Sequence, residues 1–197
     1  VLAGTYTTRA TVHLLRKLGM NVVELKPASN FDKVVENVRA VGKAVGESAR
    51  ADSMVLRMER ELSELRGPTN EHRPRAALFY ANSYTSGEGS LIDSILRHAG
   101  FGSLAREMGI RGTQKLSLET LVTRQPDALV LGHRDFPGDA LAYEVFNHTA
   151  LRHVRRTIPT FSLANALTIC GTPHAVKAVE RLRRFREKFA RPVESSQ

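Results

Sequence analysis

An α/β fold is predicted by three features of the sequence. Short apolar, β-branched runs such as "NVVEL", "ALVLG" and "IPTFSL" alternate with longer stretches of helical periodicity. Glycine, proline or a capping hydroxyl stands at nearly every junction between them. No repeat of solenoid period interrupts the alternation, so the pattern is two α/β units joined by a long helical segment.

The elements follow in order. Residues 1–3 read as a strand that leads through "GTYTT" into a helix from Arg9 to Leu18, stopped at Gly19, and "NVVEL" closes a βαβ unit. Ser29 with Asp32 suggests the cap of the next helix, whose apolar face is Phe31, Val34, Val35, Val38, Val41 and Val45. Gly42 and Gly46 weaken it, and a break is expected near Gly46. A second helical run spans Glu47 to Leu65, and laid end to end the two pieces would form a rod of about 50 Å at 1.5 Å per residue. "RGPTNEHRPR" (66–75) is the clearest linker.

Beyond it the alternation restarts. A strand at Ala76–Tyr80 enters the polar loop "ANSYTSGEGS" and a helix at Leu91–His98, capped by Ser90 with Asp93 completing a capping-box pattern. "SLAREMG" reads as helical, Ser117 caps "LETLVTR", and Pro126-Asp127 introduces the strand "ALVLG". A helical stretch over Asp139–Arg155, the strand "IPTFSL" and a final helix begun by Thr172-Pro173 complete the chain. The two strands before the linker cannot bury a sheet face on their own, so the first unit is expected to be incomplete.

Composition narrows the function. With 42% hydrophobic and 25% charged residues the chain has an ordinary globular balance, and no segment reaches the apolar length of a membrane span. The net charge of +9 is concentrated in "ERLRRFREKFAR" and "RHVRR", where solvated helix faces are the plainer reading, and no aromatic-interleaved nucleic-acid motif accompanies it. A nucleic-acid partner is not expected. Cys170 stands alone, allows no intrachain disulfide, and is expected to be buried.

The loop "SYTSGEGS" fails three tests for chemistry. It lacks the lysine of a phosphate-binding loop, Ile92 stands where a dinucleotide fingerprint needs its third glycine, and no serine is flanked by glycines as in a nucleophile elbow. No paired carboxylates, Ser/His/Asp order or metal-spaced cluster emerges elsewhere, so no catalytic residue, resident cofactor or structural metal is expected. The loop reads as a place for a ligand.

The ordered series "VLAGTYTTRATVHLLRKLGMNVVEL", "SNFDKVVENVRAVGKAVG", "LSLETLVTRQPDALVLG" and "ICGTPHAVKAVERL" resembles the class III periplasmic binding proteins of ABC importers for iron–siderophore complexes, haem and cobalamin. The resemblance spans essentially the whole chain. It implies two three-layer α/β lobes joined by a long helix, with residues 1–28 the remainder of an incomplete N-terminal lobe, 29–68 the linking helical segment and 69–197 the C-terminal lobe. It also implies capture of a ferric siderophore, haem or cobalamin between the lobes and delivery to a membrane permease outside the cytoplasm. The family's further N-terminal residues would precede "VLA".

By position the resemblance assigns ligand contact to Thr5, Tyr6 and Thr7, to Ser83, Tyr84, Thr85 and Ser86, to His133 and Arg134, and to Asn165. For Tyr84 and Tyr6 the competing reading is a half-buried ring serving its own loop, for Arg134 an exposed loop arginine, and for His133 a structural histidine rather than a metal ligand. Glu119 in "LSLETL" matches the carboxylate that docks on the permease, although a first-turn glutamate is also favoured by the helix dipole. Two other readings stay open: a doubly wound enzyme using a nucleotide, marked by retained nucleotide or turnover, and a basic interaction module, marked by salt-sensitive nucleic-acid binding.

Overall fold

In a computed structural model the described residues are 1–5, 7–65, 73–133 and 141–190. The chain opens with β1 (Leu2–Gly4), α1 (Arg9–Lys17) and β2 (Val23–Leu25), and the strands pair in parallel with Ala3 opposite Glu24. Thr8 caps α1 by accepting from the Thr11 N–H at 3.3 Å. This unit has a core of only Ala3, Val12 and Val22, with Leu15 packed against it. Val1, Leu2, Leu14, Leu18 and Met20 remain exposed around it.

Helices α2 (Phe31–Ala44) and α3 (Ser48–Glu64) follow. The cap of α2 is Asn30, not Ser29: from an extended backbone its Oδ1 accepts from the Lys33 N–H at 2.9 Å, three residues on. The chain breaks at Gly46, which takes a left-handed φ of 76° that costs a glycine little. The expected 50 Å rod does not form. Arg39 Nε lies 3.0 Å from Asp52 Oδ1, whereas in one continuous helix those residues would stand about 20 Å apart at 1.5 Å per residue. The two helices fold back on each other instead, because the valine face of α2 and Val55, Met58 and Leu62 of α3 must both be covered.

The remainder is built on a four-stranded parallel sheet. Its strands are β3 (Arg75–Phe79), β5 (Gly102–Ser103), β7 (Ala128–His133) and β8 (Thr160–Ala164), in the order β5-β3-β7-β8. Ala76 and Leu78 face one side and Ala77 and Phe79 the other, as the two-residue period of a strand requires. The first face is covered by α2, α3, α4 (Leu91–His98) and α9 (Val176–Ala190). The second is covered by α5 (Leu104–Glu107), α6 (Leu118–Arg124) and α7 (Thr149–Thr157). A sheet buried on both faces by helices is the three-layer α/β arrangement expected for the second unit, and the linking helices share its core.

Several details depart from the expectations. The polar loop after β3 contains a strand, β4 (Tyr84–Ser86), that pairs antiparallel with β6 (Thr113–Lys115) as a two-stranded ribbon. The stretch 141–155 is a 3-10 run, Leu141–Asn147, followed by α7, whose cap His148 accepts from the Ala150 N–H at 3.2 Å. Cys170, just after α8 (Ala166–Ile169), is exposed, because this segment lies at the surface ahead of α9. Most of the linker, residues 66–72, lies outside the described residues, as do 139–140 at the start of the stretch expected to be helical.

Candidate ligand cleft

Sequence order and sheet order together locate the site. The chain winds from β3 outward to β5, then returns past β3 to β7 and β8, so the winding direction reverses between β3 and β7. Open α/β sheets bind ligands at that reversal, beyond the carboxyl ends of the strands. A cleft of about 720 Å³ opens there, bounded by Tyr80 and Ala81 after β3, Asn165 and Thr168 after β8, the start of α4, and the segment Pro27–Ser29 after β2.

Its floor is set by a close approach. A Cβ on Gly132 would lie 2.0 Å from Tyr80 Cδ1 and 2.6 Å from Asn165 Oδ1, so glycine at that point of β7 lets the tyrosine ring cross the strand. The Tyr80 hydroxyl donates to Thr168 Oγ1 at 3.4 Å, and the Thr168 hydroxyl donates to the Asn165 carbonyl at 3.1 Å. Burial pushes the Tyr80 phenol up to about 12, against a smaller lowering by the Thr168 bond. It therefore stays protonated and serves as a donor.

The rim is the β4–β6 ribbon. Asn82 and Ser83 both take left-handed backbone angles, φ 55° and 59°. Such residues cost on the order of 1–3 kcal/mol each and persist where surrounding structure imposes them. Here the Tyr80 N–H donates to the Tyr84 carbonyl at 2.7 Å, and the Leu116 N–H donates to the Ser83 carbonyl at 2.8 Å. Tyr84 is 39% exposed at the mouth. Lys115, opposite it in the ribbon, places Nζ 5.9 Å from its ring centroid. Ser86 exchanges a 2.9 Å bond with Thr113 Oγ1, and both line the cleft.

Behind the rim three arginines meet two carboxylates. Asp93 is only 1% exposed. It does not close a capping box. Ser90 Oγ accepts from its N–H at 3.3 Å, but its carboxylate accepts from Arg106 Nε at 3.2 Å and Nη2 at 2.7 Å, with Arg97 Nε 3.7 Å away. Arg106 Nη1 also donates to Glu88 at 3.2 Å, and Arg111 pairs with the same carboxylate at 3.3 Å. The Asp93 hydrogen bond holds the Arg106 guanidinium above its ordinary value. The lining that remains is Tyr, Ser, Thr, Asn, Gly and apolar side chains, and none of the described lining residues carries a formal charge.

Of the residues expected at a ligand, Tyr84, Ser86 and Asn165 line this cleft. Ser83 borders a neighbouring hollow of about 330 Å³ shared with Lys115, Ser117 and Glu119. Thr85 points the other way: it is fully buried, and its Oγ1 has no partner among the described residues. Thr5 is exposed and Thr7 partly buried in the turn after β1, and neither lines the cleft. Tyr6, Arg134 and the side chain of His133 lie outside the described residues. Among the described residues no group of three or more metal-binding side chains comes together. Tyr80, Thr168 and residues 27–29 were not anticipated. Tyr80 was readable only as the last residue of an apolar strand, and Thr168 and Pro27 carry no pattern signal. A second hollow of about 450 Å³, at the corner of α2 and α3, is lined mainly by Val38, Val41, Val45 and Met54 and has little to orient a polar ligand.

Glu119 stands exposed in the first turn of α6, where Ser117 caps the helix by accepting from the Thr120 N–H at 3.1 Å. Its own backbone N–H holds its carboxyl below the usual range, aided by the Ser117 hydroxyl and by the charge of His148. It is ionised at neutral pH and open to a cationic partner.

The family pattern described as periplasmic binding protein matches residues 1–168. The chain belongs to this family. A cobalamin-binding protein of Halobacterium salinarum is 26% identical over 197 residues, covering 96% of this chain and 52% of its relative. The chain therefore spans about half the length of the curated relatives it matches. Among solved structures, the periplasmic heme-binding protein RhuT from Roseiflexus sp. RS-1 superposes with a TM-score of 0.79 at 19% identity, over 97% of this chain and 76% of that one. A protein of the ABC-type Fe3+-hydroxamate transport system of Saccharomonospora viridis gives 0.72 at 24% identity, over 96% and 69%. These likenesses show the α/β periplasmic binding protein fold, and the relatives are named for binding and transport. Among the described residues no helix is long and apolar enough to cross a membrane.

Proposed function

We propose that the chain belongs to the substrate-binding component of an ABC importer, holding a metal chelate in the cleft and presenting it to a membrane permease outside the cytoplasm. The observation that carries this reading is the cleft itself. In a chain of the periplasmic binding protein family it stands at the winding reversal of the sheet, walled by two tyrosines, apolar side chains and hydroxyls, with the neighbouring Asp93 and Glu88 carboxylates paired to Arg106. Aromatic and apolar walls suit the face of a large chelate, and hydroxyl and amide groups suit its polar edge. Capture needs no bond to be made or broken, so the reading requires no catalytic residue.

Within the class of ferric siderophore, haem and cobalamin, the uncharged described lining favours a corrinoid fringed with neutral amides over a porphyrin with free carboxylates, which would call for cations. The cobalamin-binding relative supports the same choice. Glu119 is the docking carboxylate in this reading: exposed, ionised, and joined to the rim through the hollow it shares with Ser83. The test is a spectral titration of the complete gene product with cyanocobalamin, haemin and a ferric hydroxamate in parallel. Saturable one-to-one binding of cyanocobalamin, tighter than that of haemin, is expected. Tighter haemin binding would reverse the choice of chelate, and no binding of any of the three would remove the transport reading.

A further inference from the structure

We infer that the outer flank of α7 is a binding surface for anionic lipid headgroups. Leu151 and Val154 fix the helix to the sheet and leave Arg152, Arg155 and Arg156 exposed. Those three are spaced i, i+3 and i+4, so they share one flank. The helix contains no acidic residue. Among the described residues the only side-chain partner of the three is Thr149 Oγ1, 3.4 Å from Arg152. Helix α9 is also basic but carries acids of its own. In α9, Arg183 and Arg184 are bound by Glu187 and Glu180 at 3.0 and 2.5 Å, and Arg183 also donates to the Glu64 carbonyl. Glu144, eight residues before Arg152, and Glu119 in the first turn of α6 are both exposed.

Three guanidinium groups that no described carboxylate pairs with form a cluster suited to phosphate, which arginine meets with a bidentate fork. The cluster begins one turn beyond His148, the residue whose charge is felt at Glu119. The choice of a membrane as the source of phosphate rests on the transport reading, in which Glu119 meets a permease and α7 then faces the bilayer around it. The unpaired arginines of this flank, among the described residues, do not depend on that reading.

The experiment is co-sedimentation of the 197-residue chain with vesicles of phosphatidylglycerol in phosphatidylcholine, against vesicles of phosphatidylcholine alone. It involves neither chelate nor permease, so its failure is distinct from failure of the transport reading. Partition into the anionic vesicles only, weakening as salt is added, is the expected result. The triple variant R152Q/R155Q/R156Q is expected to lose on the order of 100-fold in partition, at about fivefold per arginine. A charge-matched variant on α9, K177Q/R181Q/R184Q, should change it by less than about threefold. Equal losses in the two variants would mean that only net charge attracts the chain, and would overturn the proposal. So would equal sedimentation with both kinds of vesicle, or retention by immobilised polyglutamate without vesicle binding, which would assign the flank to an acidic protein.

Discussion

Tyr84 and Tyr80 occupy the same cleft but differ in what they hold up. Tyr84 sits on a rim whose strain is borne by the Ser83 and Tyr80 backbone contacts, so Tyr84→Ala should leave unfolding nearly unchanged and weaken binding of the preferred chelate by about 1–3 kcal/mol. Thermal unfolding without ligand and a quenching titration on the same two proteins read this directly. The opposite order, with stability lost and affinity kept, would make the rim merely a turn. Tyr80 is part of the floor. Burial pushes its phenol up to about 12 from the ordinary value near 10. Stability from keeping it neutral is whole below about 10 and is lost as pH rises through 12. An absorbance titration should therefore show one phenol ionising near 12 that is missing from Tyr80→Phe. Gly132→Ala tests the same floor sterically. A methyl 2.0 Å from the ring has no room, and the overpacking should cost about 1–3 kcal/mol in denaturant unfolding.

At the scale of elements, the Arg106 clamp joins α5 to the first turn of α4 and to the Glu88 loop. Arg106→Met would leave Asp93 buried without its bidentate partner and should destabilise by roughly 3 kcal/mol, the low end for such a break because Arg106 itself is 38% exposed. Adding Asp93→Asn should restore part of the loss, and a loss below about 1 kcal/mol in urea unfolding would show the clamp is dispensable. Asp93 also shows where the sequence was legible and where it was not. Ser90 three residues ahead of it announced a helix start, and the start is there. The destination of the carboxylate depends on Arg106, thirteen residues away on another helix, which no local pattern reveals. Helices α1, α4 and α6 were readable from caps and periodicity to within a residue or so. The β4–β6 ribbon was hidden because its strands are only three residues long and rich in polar side chains, so neither period nor hydropathy marks them. The 50 Å rod failed for a related reason. A glycine break was visible in the sequence, but the direction of the turn is decided by the two apolar faces that then pack together.

For the whole molecule, the imbalance between its two cores is the leading feature. The β1–β2 unit has three buried residues in its cluster, whereas the sheet of the second unit is buried on both faces. Hydrogen exchange on the 197-residue chain should accordingly show far weaker protection at Val22–Leu25 than at Leu129–Leu131. Comparable protection in a monomer would show the first unit is self-sufficient. Transport separates docking from capture. Glu119→Arg in the complete gene product should lower chelate uptake without altering chelate affinity, because Glu119 is exposed and does not line the cleft. Equal losses in both would remove its docking role. The central claim is that the cleft beyond β3 and β8 holds a metal chelate, and the most direct measurement is a crystal structure of the complete gene product soaked with cyanocobalamin. Corrin density is expected in van der Waals contact with Tyr84 and Ile92, and within hydrogen-bond reach of Ser86 or Thr113. Density bound only elsewhere on the surface, with the cleft holding water alone at saturating ligand, would contradict it.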